Sequence, residues 1–268
     1  MKQLILAFQF LTIIPLRIKG NITEKEIAQS SVFFPVVGAA QGLLIIVAVP
    51  YLIKAFPVEI ASLFTLLILI LTNGGFHLDG LADTFDALAL KSTGDKEKDI
   101  ERRLSVMKDS TTGAIGVVAI AIVILFKYEL IKWFLIADYR LLFLMPVFSR
   151  WIMVPAMYHG KSARQDGLGR LFVNNVTVAM LILSTVLLTL SITVYAPPYL
   201  LEAYGMKTYK LPLIIAAFLY AFSLAWMRFC SKKFNGFTGD ALGALSEISE
   251  ILCLLIIFVW LQWVQQYF

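Results

Sequence analysis

Three aspartates stand at i, i+4 and i+7 in the string Gly74-Gly75-Phe76-His77-Leu78-Asp79-Gly80-Leu81-Ala82-Asp83-Thr84-Phe85-Asp86. If the segment is helical, Asp79, Asp83 and Asp86 share one face over two turns. Carboxylates on one stripe repel each other unless a cation lies between them. A hard divalent ion suits such a set, because Mg²⁺ takes oxygen ligands, keeps some waters and completes its shell with substrate phosphate. Asp79, Asp83 and Asp86 are therefore the candidate metal ligands and catalytic groups. Ordinary helix-end carboxylates are the plain alternative. Three in phase directly after an apolar run argue for chemistry, since ionisable groups at membrane depth are costly. His77, just before the stripe, is placed to orient a carboxylate or a phosphate, although packing explains a lone histidine equally well.

Further groups recur along the chain. The string "RRLSVMKDSTTGAIG" sets Arg102, Arg103, Lys108 and Asp109 ahead of Gly113 and Gly116, where another apolar run begins. Cations followed by Asp, Ser and Thr at a helix N-terminus suit a phosphate, because free N–H groups and the helix dipole favour an anion there. An N-cap at Asp109 or Ser110 beside a basic flank accounts for part of this pattern without any ligand. In "NGFTGDALGALSEISE", Gly236, Gly239 and Gly243 surround Asp240, and Glu247 follows on the same helical face. Arg150, in "SRW" inside an apolar span, needs a partner, for which a carboxylate of the Asp79 stripe is the natural candidate. His77, Arg102, Lys108, Asp109, Arg150, Asp240 and Glu247 are thus expected to contact substrate or its phosphates.

The elements that must hold these groups are membrane helices. The 268 residues are 59% hydrophobic and 15% charged, with a mean hydropathy of +0.81, well outside the composition of soluble domains. A hydrocarbon core needs about 20 apolar helical residues, and that ruler marks seven spans, near 33–53, 58–76, 113–136, 141–158, 176–196, 211–228 and 250–267. Before them, residues 1–20 carry Pro15, Arg17 and Lys19 and lack a small-residue cleavage site, which suits a retained amphipathic or re-entrant segment. The expected fold is all-α: one domain, 1–268, forming a polytopic membrane bundle of about seven transmembrane helices. Cys230 and Cys253 sit in or beside apolar segments with no metal spacing, so neither a disulfide framework nor a zinc site is indicated.

Fifteen Lys and Arg fall in one alternate set of connections and five in the other. By the positive-inside rule the first set faces the cytoplasm, placing active-site loops at 77–112, 159–175 and 228–249 on the side where nucleotides are found. Eight of the eighteen acidic residues lie in 77–112 alone, and "KSTGDKEKDIERRLSVMKD" within it has the charge spacing of a solvated helix. No nucleophile elbow, Walker loop, dinucleotide fingerprint or zinc spacing occurs, which argues against covalent Ser or Cys catalysis and against an ATP-driven pump.

In order along the chain, "FLTIIPL", "GGFHLDGLADTFDA", "MKDSTTGAIG", "SRW", "GLGRLF" and "TGDALGALSEISE" closely resemble the integral-membrane cobalamin synthases, the adenosylcobinamide-GDP ribazoletransferases. The resemblance covers nearly the whole chain. It implies a transferase of the inner membrane, late in cobalamin assembly and similar in chemistry to CDP-alcohol phosphotransferases. α-Ribazole, through its 5′-hydroxyl or 5′-phosphate, would attack the cobinamide-side phosphorus of adenosylcobinamide-GDP, and GMP would leave. By the same resemblance Asp79, Asp83 and Asp86 hold Mg²⁺, a carboxylate such as Asp86 takes the hydroxyl proton, and Lys108, Asp109 and Asp240 fall in family strings. Ile13, Thr111 and Ala87 depart from the pattern, where arginine, arginine and glycine are common. The implied partners are the two substrates and the lipid bilayer, with no nucleic acid and with a homo-oligomer left open. An ion-coupled transporter using intramembrane carboxylates is the competing class. The missing inverted repeat and the clustering of acidic strings at one mouth speak against it.

Overall fold

A computed structural model describes residues 1–18, 20–109, 111–164, 167–173, 175–195 and 210–266; Lys19, Ser110 and Lys207 lie outside the described residues. The described residues fold into helices joined by short turns. These are α1 (Lys2–Leu11), α2 (Glu24–Ser30), α3 (Phe34–Ala55), α4 (Val58–Thr72), α5 (Phe76–Ala89), α6 (Lys96–Val106) and α7 (Ala114–Ala137). They continue as α8 (Leu144–Trp151), α9 (Met153–His159), α10 (Leu168–Val173), α11 (Val178–Tyr195), α12 (Lys210–Phe234) and α13 (Gly239–Gln266). By length and composition, six helical stretches are long and apolar enough to cross a membrane, and α4 with α5 makes a seventh if taken as one broken span.

The expected spans are recovered closely except at two places that matter for the site. Residues 58–76 do not form one straight helix: α4 stops at Thr72 and α5 leaves at 85°. The corner is Asn73-Gly74-Gly75. Both glycines take positive φ, 64° and 73°, a region that other residues enter only with strain. The Asn73 side chain accepts the Gly75 N–H at 2.9 Å. The last span, expected from 250, begins instead at Gly239, so Asp240 and Glu247 lie in the same helix as Glu250 and not in a connection preceding it.

The other polar connections are also largely helical. Asp95 caps α6, its carboxylate accepting the Glu97 and Lys98 N–H groups, the arrangement that satisfies otherwise free amides at a helix start. The segments after α9 and before α13 pair through their backbones. Phe237 N–H donates to the Lys161 carbonyl at 2.7 Å, and Ala163 N–H donates to the Phe237 carbonyl at 3.1 Å. At the centre, the stretch through α8 and α9 is almost wholly enclosed, with Met145, Val147, Phe148 and Ile152 buried. It packs against α3 on one side and α13 on the other.

Candidate active site

The corner at Gly74-Gly75 lays α5 across the start of α13. The two backbones approach so closely that a Cβ on Gly80 would lie 2.8 Å from the Asp240 carbonyl oxygen, and one on Gly243 would lie 3.2 Å from the His77 Cα. Such an approach leaves no room for a side chain at Gly80 and brings Asp240, in the first turn of α13, beside the aspartate stripe of α5. Thr238 caps α13 by accepting the Ala241 N–H at 3.1 Å.

The stripe divides into two environments. Asp79 is exposed and Asp83 half-buried. Asp86, expected as a third metal ligand and as the base, has both oxygens engaged: one accepts the Gly113 N–H at 2.6 Å and the other the Gly116 N–H at 2.8 Å. Its carboxylate fills the N-terminus of α7, where the dipole and free amides favour an anion. A Cβ at Gly113 or Gly116 would collide with that carboxylate. The helix start expected to accept a phosphate is thus occupied by an internal anion, because α5 passes close enough to supply one. Asp240 takes the place beside Asp83 that the i+7 spacing suggests for Asp86. The charges of Asp79, Asp240 and Asp86 all bear on Asp83, with the Arg164 guanidinium opposing them.

Arg164 comes from the backbone-paired segment after α9. Its Nη2 lies 3.5 Å from Asp240 Oδ2, which is buried and accepts no hydrogen bond. The same nitrogen donates to the Leu104 carbonyl of α6 at 3.3 Å, so all three polar segments read from the sequence meet here. Alongside is a cavity of about 440 Å³ lined by His77, Phe76, Phe237, Arg164, Arg170 and Asp240 among others. Arg170 Nη2 lies 3.0 Å from Glu24 Oε1.

The remaining candidates fall elsewhere. Arg102, Lys108 and Asp109 are exposed around the end of α6. Asp109 Oδ1 accepts the Thr111 N–H and hydroxyl, which holds its carboxyl below the usual range. Arg103, the neighbour of Arg102, is the buried one. It lies near Asp99, whose carboxyl is held down at about 2 by hydrogen bonds from the Ser92 hydroxyl and from Thr93.

Arg150 and Glu247 require correction. Arg150 does not reach the stripe on α5. It is fully buried, and its Nη1 donates to Glu250 Oε1 at 2.9 Å and to the Ser246 and Ser149 hydroxyls at 2.7 and 2.9 Å. Glu247, 1% exposed, is 2.5 Å from Lys127 Nζ of α7, which also binds Glu250. Neither can touch a phosphate at the mouth, because α8 packs against α13 a few turns below Asp240. Sequence reasoning passed over Lys127, although a lysine inside "AIVILFKYELI" carries the same signal that singled out Arg150. Arg164 had no signal beyond its charge.

Among the described residues, no group of three or more His, Cys, Asp or Glu is close enough to hold a metal ion by itself. The donor chemistry nevertheless suits a hard cation: Asp79, Asp83 and Asp240 offer carboxylate oxygens only, one of them buried and without a donor.

The family model described as Cobalamin-5-phosphate synthase matches residues 3–258. An adenosylcobinamide-GDP ribazoletransferase of Thermodesulfovibrio yellowstonii is 41% identical over 241 residues, which is 89% of each chain. Proteins of the same name from Geotalea daltonii and Clostridium tetani are 35% and 33% identical, covering 88% and 89% of this chain and 89% of theirs. No solved structure gives a significant match.

Proposed function

The chain belongs to the cobalamin-5-phosphate synthase family, and from that premise we propose that it transfers the adenosylcobinamide phosphate group of adenosylcobinamide-GDP to α-ribazole or its 5′-phosphate, releasing GMP. One observation carries the assignment of the site: the approach of α5 to α13 at Gly80, which sets Asp240 against Asp79 and Asp83 beside the cavity and opposite Arg164. Phosphoryl transfer of this kind asks a protein chiefly for positioning and charge neutralisation.

Asp79, Asp83 and Asp240 would hold Mg²⁺, which when bound neutralises the diphosphate and the charge that develops on the attacking and leaving oxygens. Arg164 and Arg170 line the cavity and would meet phosphate oxygens there. The new bond joins a ribose oxygen to the cobinamide-side phosphorus. The bond to the bridging oxygen breaks, and GMP leaves with that oxygen. A family named for a cobalamin 5-phosphate retains the phosphate at that position, so the nucleophile is a ribose hydroxyl at another carbon; attack through the 5′ position, expected from the sequence, does not fit a 5-phosphorylated product. The hydroxyl proton passes to a carboxylate oxygen at the mouth that is not engaged with the metal. The mouth faces the cytoplasm of an inner-membrane protein, on the strength of the Lys and Arg asymmetry.

Purified protein in detergent, given the GDP-activated corrinoid, α-ribazole or its 5′-phosphate, and Mg²⁺, is expected to release GMP. Asp79→Ala is expected to lose on the order of 10³-fold in rate, since metal-assisted charge stabilisation amounts to several kcal/mol, while still inserting in the membrane. Near-normal turnover of that variant in Mg²⁺ would remove Asp79 from the site.

A further inference from the structure

Beneath the mouth lies a second charged group that the transfer reaction does not use directly. Lys127 of α7 binds Glu247 and Glu250 of α13, and Glu250 binds Arg150 of α8. Ser149 donates to Glu250 Oε1 at 3.2 Å. All four charges are nearly sealed, with exposures of 3%, 1%, 1% and 0% for Lys127, Glu247, Glu250 and Arg150. Two positive and two negative groups cancel. His77 of α5, buried, lies within the field of Arg150, Glu250 and Lys127. Gly243, between Asp240 and Glu247 on α13, packs on the His77 backbone.

The same helices meet again at the mouth. Asp86 of α5 grips the start of α7, and Gly80 of α5 rests on Asp240 at the start of α13. α7 and α13 therefore each touch the metal-binding helix near the mouth and are fastened to each other below it. Stability alone explains such a group poorly, since buried ion pairs are often no better than apolar replacements of the same volume.

We propose that Lys127, Glu247, Glu250 and Arg150 are positioning residues: a neutral clamp that fixes α7 and α13 at the spacing which holds Asp240 against Asp79 and Asp83. The inference rests on the transferase reading for its kinetic test, and on the carboxylate cluster alone for its binding test. Groups that orient metal ligands from behind typically govern activity or metal affinity by about 10–100-fold.

The test is the paired variant Lys127→Met with Glu247→Gln. It removes one positive and one negative charge together, leaves Arg150 with Glu250, and so avoids the stranded charge that makes single changes misfold. The purified pair variant should remain monodisperse in detergent, with KM for each substrate within about twofold and kcat lowered by about 10–100-fold. Mn²⁺, followed by its electron paramagnetic resonance signal, should bind about tenfold more weakly than to the wild type. Wild-type kcat together with wild-type Mn²⁺ affinity overturns the clamp. So does a loss of rate that merely tracks a loss of folded protein. Should the wild type itself release no GMP, the transferase reading fails, and the Mn²⁺ comparison still judges the clamp.

Discussion

Two acidic constellations sit along the same pair of helices, and they have opposite electrostatic fates. At the mouth, Asp79, Asp83, Asp86 and Asp240 bear on one another with Arg164 opposing, and Asp79 is open to solvent. Below it, Glu247 and Glu250 are matched by Lys127 and Arg150 and closed to solvent. An acidic residue in a membrane protein is thus not informative by itself; the charge left over after its neighbours are counted is. The mouth retains an excess of negative charge. The buried quartet has none to offer.

This contrast predicts opposite phenotypes. Asp240→Ala should lower GMP release on the order of 10³-fold while shifting the melting temperature in detergent by only a few degrees; a comparable fall in both would erase the distinction. Arg150→Met should do the reverse first, because it leaves the buried Glu247 and Glu250 carboxylates to share Lys127 alone. Removing one partner of a buried pair costs about 3–5 kcal/mol, visible as a low melting temperature and poor recovery from the membrane. Asp86→Asn tests the residue that fastens α5 to the start of α7. An amide keeps one acceptor for the Gly113 and Gly116 N–H groups but presents its own NH₂ to the other, so a stability loss of about 1.5–3 kcal/mol is expected for a charge-assisted hydrogen bond, measured by thermal unfolding. Arg102→Ala, on the exposed face of α6, should stay within about 0.5 kcal/mol in stability and leave turnover unchanged; a large loss of rate would return α6 to the substrate path.

The contrast also explains what the sequence did and did not reveal. The apolar ruler places α3, α7, α11 and the α8–α9 stretch within a few residues, because each is a helix made of one continuous apolar run. It fails at α13, where the stretch before residue 250 that holds Asp240 and Glu247 reads as part of a polar connection. Helix continues through them because Lys127 and Arg150, distant in sequence, neutralise the glutamates. It fails again at Gly74-Gly75, where hydropathy carries on but two positive φ angles turn the chain. The stripe of Asp79, Asp83 and Asp86 was legible from spacing. Its division was not, since whether Asp86 faces a metal or the amides of α7 depends on where a separate helix begins.

The distances along the chain spanned by these contacts set an order of events. Asp86 reaches Gly113 across 27 residues, a short loop whose closure costs little entropy. Lys127 must wait for Glu247, 120 residues later, and Arg150 for Glu250, 100 residues later. During synthesis α5 and α7 can join early, whereas the glutamates of α13 reach the membrane as the last unmatched charges and are accepted only when a lysine and an arginine are already waiting. Folding is therefore slowest where contacts are least local, and the step that seals the charges is also the step that delivers Asp240. A chain halted before α13 would own most of its helices yet lack Asp240 and both buried glutamates.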